Sequence, residues 1–261
     1  VAVKGLDIFQ EFFRDYEGSF LLIGGAACDD WFSTQGLRFR ATEDLDIVLI
    51  LEALTEPFIS RLFEFIEEGE YRNRNRIENG PPILYRFSKP VNQAYPDMLE
   101  IFSRSDDSLL LRKNQRIVPV YIDSADSLSA ILLDREYYEF LLGHHRTANG
   151  IWMADVATLI LLKARAWLDL SARRERGESV DNRKIRKHRN DVFSLASTLP
   201  STPGERLPAS ISLDVIEFLD HFPVESQEWQ AVLQAMKNML GGRFDPQALS
   251  DAIRTYFLLA V

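Results

Sequence analysis

Two acids at the mouth of a buried strand constrain this chain more than any other feature. Asp44-Leu45-Asp46 runs directly into Ile47-Val48-Leu49-Ile50-Leu51, an unbroken apolar stretch of the kind expected of a strand covered on both faces. Alternate strand residues share a face, so Asp44 and Asp46 project together with Cα atoms about 6.6 Å apart. Carboxylates in such a place are costly unless something pairs them. Two on one face can hold one Mg2+, or two metals about 3.5–4 Å apart as in in-line phosphoryl displacement. A solvated strand-entry turn is the competing account, and Asp-x-Asp alone does not exclude it.

Some twenty residues upstream, the short apolar run Phe20 to Ile23 ends in Gly24-Gly25, and Ala26 to Ser33 reads as a helix behind it. Glycine amides between a strand and a helix N-terminus can approach a phosphate closely. A plain tight turn reads equally well from Gly-Gly alone. It is not a P-loop, because no Gly-Lys-Ser/Thr follows.

The rest of the chain falls into two halves. Helical periodicity marks Leu6–Tyr16, and Thr55–Glu67 carries its own start signals, Thr55 as N-cap and Pro57 in the first turn. Strand-like runs follow at Tyr71–Ile77, at Ile83–Ser88 after Gly80-Pro81-Pro82, at Met98–Phe102 after Pro96, and at Ile117–Ile122. Their close spacing favours an antiparallel or mixed sheet over a doubly wound parallel one. Residues 126–150 are ambiguous, with Leu128–Leu133 and Tyr137–Leu142 each readable as a helix. From about Ile151 the pattern is helical throughout: Met153–Leu170, Arg183–Leu199, Leu213–Phe222, Ser226–Leu240 and Pro246–Leu259. The expected fold class is α/β (α+β), with an N-terminal mixed-sheet half over residues 1–125 (boundary between 125 and 150) and a helical half over 151–261.

Composition narrows the function classes. No apolar run approaches the roughly 20 residues that span a bilayer, and nothing at the start reads as a signal peptide. One cysteine, Cys28, excludes an internal disulfide and fits a reducing compartment, so a cytoplasmic location is the default. Cys28 reads as a helix residue rather than a nucleophile, and His144-His145 lack the neighbours of a zinc site. A net charge of −9 argues against a whole surface built for polyanions. Charge is local, however: Arg173 to Arg189 holds eight Lys/Arg against three acids, and Arg72 to Arg76 forms a smaller basic knot. Such a strip is usually a solvated face, yet it suits an anionic substrate bound at one place.

The combination is more specific than its parts. A strand ending in Gly-Gly, then a helix, then Arg40-Ala41-Thr42-Glu43-Asp44-Leu45-Asp46 opening a buried strand resembles the nucleotidyltransferase superfamily of the DNA polymerase β-type fold. Arg-x-Thr-x-Asp-x-Asp resembles its AbiEii/MenT toxin-like branch. The resemblance to the fold covers roughly residues 18–103.

It implies that Gly24, Gly25, Arg40, Thr42 and Lys163 bind the nucleotide, and that Asp44, Asp46 and a third carboxylate hold Mg2+ (or Mn2+). The third acid should come from Tyr95-Pro96-Asp97-Met98-Leu99-Glu100-Ile101. Glu100, flanked by apolar residues, is favoured over Asp97 at the strand entry; being three apart, only one can join the cluster. Relatives often use Asp here, so Glu would move the ligand outward. Lys163 lies in the inward stripe of its helix, where a snorkelling lysine is the ordinary reading and the branch has a phosphate-binding Lys. Asp191 matches an acid of the branch that orients this lysine or acts as base, against a plain surface pair with Lys187. The spacing between Lys163 and Asp191 is longer than the branch leads one to expect.

The implied activity is Mg2+-dependent transfer of an NMP from an NTP to an acceptor hydroxyl on RNA, a tRNA end or a protein, with release of pyrophosphate. The basic strip is the candidate contact for a polyanionic acceptor, and a cognate antitoxin is a partner the resemblance adds. Two other readings stay open: an NDP-sugar-dependent glycosyltransferase, which also uses Asp-x-Asp, and an inactive nucleotide-binding or partner-binding module.

Overall fold

The computed structural model describes residues 3–50, 53, 55–74, 84–102, 134–204 and 206–259. Within them the chain is mixed α/β, built on a seven-stranded mixed sheet. In chain order the elements are α1 (Leu6–Phe13), β1 (Phe20–Ile23), α2 (Gly24–Thr34), β2 (Asp44–Leu49), α3 (Glu56–Glu68), β3 (Tyr71–Arg74), β4 (Leu84–Pro90) and β5 (Met98–Phe102). Then come α4 (Arg135–Gly143), β6 (His145–Ala148), β7 (Ile151–Ala154), α5 (Val156–Glu175), α6 (Asn182–Ala196), α7 (Ala209–Asp220), α8 (Glu228–Leu240) and α9 (Pro246–Tyr256). The expected strand Ile117–Ile122, the helix Leu128–Leu133, the Gly80-Pro81-Pro82 turn and the end of the basic knot lie outside the described residues.

Sheet order is β3-β4-β5-β2-β1-β7-β6. β2 lies at its centre, antiparallel to β1 and parallel to β5. The two faces of the sheet have separate tasks. Phe20 pairs with Leu49 and Leu22 with Ile47, so these side chains share one face. There Phe20 meets Phe9 edge-on at 5.3 Å between ring centroids and stacks on Phe58 at 6.0 Å. Phe13 and Phe65 complete the cluster, which joins α1 and α3 to the sheet. Each fully buried Phe contributes on the order of 2–3 kcal/mol. α3 starts where its signals indicate: the Thr55 hydroxyl accepts the Phe58 amide at 3.3 Å, with Pro57 in the first turn.

Asp44, Asp46 and Val48 point to the opposite face, beneath α2, α5 and α6. This assignment follows from the register, in which Asp46 pairs with Ile23 on one side and Glu100 on the other.

Two expectations need correction. The helix after β1 begins at Gly24 itself rather than at Ala26. Further on, residues 151–154 are a strand, and helix starts only at Val156. His145–Ala148 and Ile151–Ala154 form a hairpin whose turn residues, Asn149 and Gly150, have φ of 52° and 78°. Both values are positive, as a two-residue type I′ turn requires. β7 then adds to the sheet parallel to β1, pairing Trp152 with Leu21 and Met153 with Leu22. His144 stacks on Phe140 and His145 on Trp152, so both histidines have packing roles. Among the described residues no helix is long and apolar enough to cross a membrane.

Candidate active site

The floor of the site is a row across three strands. Asp46 pairs with Glu100, and Glu100 pairs with Arg86 of β4, so all three side chains leave the sheet on one face. Asp44 joins them from one alternation earlier, opposite Met98. Arg86 Nε donates to Glu100 Oε1 at 2.6 Å, and a second guanidinium nitrogen makes an ion pair with the same oxygen.

The glycine pair that opens α2 closes one end of this row. Gly24 has φ 65°, and a Cβ built on it would stand 1.7 Å from Asp46 Oδ2. One on Gly25 would stand 2.4 Å from Thr42 Oγ1. The glycine pair is therefore the space in which the Asp46 carboxylate and the Thr42 hydroxyl sit. Gly24→Ala is expected to lose about 1–3 kcal/mol from the left-handed backbone alone, and more from displacement of Asp46. Gly36 supplies the control, since its φ is 68° with nothing within 4 Å of a built Cβ. Urea unfolding of both variants separates the terms: a Gly24→Ala cost no larger than that of Gly36→Ala would remove the Asp46 contact from the account.

The roof comes from α5 and α6. Lys163 is 5% exposed and its Nζ donates to Asp191 Oδ2 at 2.8 Å. Arg40, arriving from the segment before β2, donates through Nε to Asp191 Oδ1 at 3.2 Å and through Nη2 to Oδ2 at 2.9 Å. Asp191, 2% exposed, thus holds two cations. Burial alone would raise its carboxyl, but the charges and hydrogen bonds of Lys163 and Arg40 hold it well below the carboxylate range. Lys163 is likewise kept protonated: burial opposes its charge, and Asp191 outweighs burial.

One cavity of about 210 Å3 collects most of the expected residues. Gly24, Gly25, Thr42, Asp44, Asp46, Glu100 and Lys163 line it. Asp191 and Arg40 are not among the lining residues; Asp191 is joined to the cavity through Lys163, and Arg40 is joined to Asp191. Asp97 is engaged elsewhere, in an ion pair with Lys4, which leaves Glu100 as the acid beside Asp46.

Four further polar or charged lining residues were not among those expected from the sequence: Arg86, Lys184, Lys187 and His188. His188 Nδ1 is buried and has no hydrogen-bond partner among the described residues. Desolvation, and the nearby Lys163 and Lys187 charges, lower the imidazole to about 3, so it is neutral at physiological pH. Helical arithmetic could have found three of them, because 184, 187, 188 and 191 share one face of α6. The basic strip itself is partly neutralised, by two of its own acids and by one from α8. Glu178 takes Arg173 and Arg176, Asp181 takes Arg183, and Glu228 takes Arg189. Cys28 is buried in α2 and its thiol is pushed up to about 11, chiefly by desolvation, which fits a packing role.

Among the described residues no cluster of three or more His, Cys, Asp or Glu side chains is set to hold a metal. Glu100 is already engaged by Arg86. The carboxylates facing the cavity without such a partner among the described residues are Asp44 and Asp46. Burial, then the charge of Asp46, raises the Asp44 carboxyl above its ordinary value. A hard divalent cation relieves that repulsion, and Mg2+ commonly takes only one or two protein carboxylates, completing its shell with water and substrate phosphate. The pair fits such an ion. Neither a family model, nor a curated protein, nor a solved structure matches the chain.

Proposed function

We propose that the chain is a divalent-metal-dependent nucleotidyltransferase, moving an NMP from an NTP to an acceptor hydroxyl with release of pyrophosphate. One observation carries this reading. The glycine turn and the Asp-x-Asp strand are fitted to each other within one cavity, with Gly24 against Asp46 and Gly25 against Thr42, while Lys163, Lys184 and Lys187 line the same space. Acids to hold a cation, glycine amides at a helix start and lysines for the remaining charge are the parts that phosphoryl-type transfer needs. Glycine turn on β1, acids on β2 and β5, and a helical cap carrying Lys163 are the elements of the nucleotidyltransferase arrangement that we infer.

Asp44 and Asp46 would hold Mg2+ or Mn2+, which when bound supplies charge neutralisation at the triphosphate. The chain's own groups do the rest. Gly24 and Gly25 admit phosphate close to the backbone at the start of α2, whose N-terminus favours negative charge. Lys163, fixed by Asp191, presents its charge at a set height above the carboxylates. Arg86 holds Glu100 at the edge of the row. Lys184 and Lys187 extend the positive wall outward, where an anionic acceptor such as an RNA end would approach. Protein hydroxyls are the other acceptor class, and an antitoxin partner and a cytoplasmic setting belong to the same proposal.

The test is incubation of the purified chain with Mg2+ and each α-labelled NTP, in the presence of total RNA or total protein. Label is expected in one pool, with stoichiometric pyrophosphate and dependence on Asp46. Transfer from a UDP-sugar instead, or no Mg2+-NTP binding at all, would overturn the reading.

A further inference from the structure

A second cavity, of about 380 Å3, lies on the other side of α6. Residues 184, 187 and 188 turn toward the candidate active site, whereas Asn182, Ile185, Arg186 and Arg189 line the second space. At about 100° per residue these are opposite faces of one helix. The remaining walls come from the C-terminal part of α5 and from the end of α7 with the start of α8.

Its chemistry is that of an anion site with an apolar side. Arg174, Arg186 and Arg189 line it. Arg189 is committed to Glu228, and Arg174 makes one long hydrogen bond, 3.4 Å, to Asn182. Arg186 has no hydrogen bond or ion pair among the described residues. Two acids line the space as well: Glu228, paired with Arg189, and Glu175. Ser171 is 4% exposed, and its hydroxyl is buried with no hydrogen-bond partner among the described residues, a costly arrangement unless a ligand completes it. Beside the charged residues, Trp167 and Phe222 form a buried aromatic wall with ring centroids 5.1 Å apart, and His221 packs on Trp167 at 4.9 Å. The volume falls within the usual range for small-molecule sites, about 300–1,000 Å3, and exceeds what a bare anion fills.

We propose that this cavity binds a small phosphate monoester carrying a flat apolar body. The phosphate sits on Arg174, Arg186 and the Ser171 hydroxyl, and the ring lies against Trp167 and Phe222. Phosphate is favoured over carboxylate because its three terminal oxygens can take both guanidinium forks and the hydroxyl together. The site is independent of the nucleotidyltransferase reading, and it contacts the two helices that carry Lys163 and Asp191.

Phenyl phosphate and inorganic phosphate are the probes, titrated against the full chain by calorimetry and by tryptophan fluorescence. Phenyl phosphate is expected to saturate, and to bind more tightly than inorganic phosphate. R174Q/R186Q should weaken it by about tenfold or more and S171A by a smaller factor. D46N, which alters only the other cavity, should leave it unchanged. Both arginines are exposed, so the double variant should keep the wild-type circular dichroism; R186Q alone gives the same test should it not. Absence of saturable binding, equal affinity for the two probes, or loss in D46N with retention in R174Q/R186Q would each overturn the proposal.

Discussion

Asp46→Ala is expected to fold normally and to lose nucleotide transfer by about a thousandfold or more, the equivalent of roughly 4 kcal/mol of transition-state stabilisation. Asp46 is the member of the row with most depending on it. It pairs with Ile23 beside the glycine turn and with Glu100 on the next strand, and the absent Cβ of Gly24 makes its place. On the proposed reading, loss of its carboxylate removes half of the cation site and empties the space that Gly24 leaves for it. Stability should move the other way. Burial and Asp46 raise the Asp44 carboxyl, so in the metal-free protein the Asp44 charge opposes folding above its raised pKa, and acidification through that value relieves the cost. Removing Asp46 removes part of the repulsion, and the metal-free melting temperature at pH 7 should hold or rise. Added Mg2+ should raise the melting temperature of the wild type and not that of the variant. A variant that melts earlier without metal would show that Asp46 serves the fold instead.

Much of this was legible because the signals are local. The Thr55 cap and Pro57 mark the start of α3 within one segment, and Asp44-Leu45-Asp46 carries its two acids and its strand together. Arg86 was not legible in the same way, since its role depends on β4 pairing with β5 in the register that sets residue 86 against residue 100. A faint trace existed, with Arg86 alternating against the buried Phe87. The β6–β7 hairpin was missed despite a strong signal, Asn149-Gly150. Ile151 to Ala154 runs on into the apolar face of α5 after a single Asp, and continuous hydrophobicity conceals the change of period. Asp155 marks the boundary, accepting the Thr158 amide at 2.8 Å as the cap of α5. Charge counting misled differently: the basic strip reads as a free positive face, but Asp181 and Glu178 neutralise part of it within a few residues.

Asp191 is the residue on which the second large effect turns. Both its oxygens are engaged by buried or half-buried cations, Lys163 at 2.8 Å and Arg40 at 2.9 and 3.2 Å. Asp191→Ala leaves two positive charges facing each other without a counter-ion, a change that typically costs about 3–5 kcal/mol. The pH dependence has a definite sign. The Asp191 carboxyl is lowered in the fold, so its contribution is complete above the unfolded carboxylate value, about 3.9, and is lost as pH falls through the lowered value. Lys163 is raised, so its contribution is complete below the unfolded lysine value, about 10.4, and is lost as pH rises through the raised value. Urea unfolding should therefore give a wild-type advantage that is flat from about pH 5 to 9 and shrinks at either extreme. Added salt should change it little, because buried pairs are weakly screened. The same geometry separates two catalytic roles. A carboxylate held this far below its ordinary range, and lying behind Lys163, is a poor proton acceptor and a good anchor. Asp191→Asn should accordingly raise the KM for NTP through a misplaced Lys163 and leave the acid limb of the kcat profile where it was; an acid limb that disappears would make Asp191 the base.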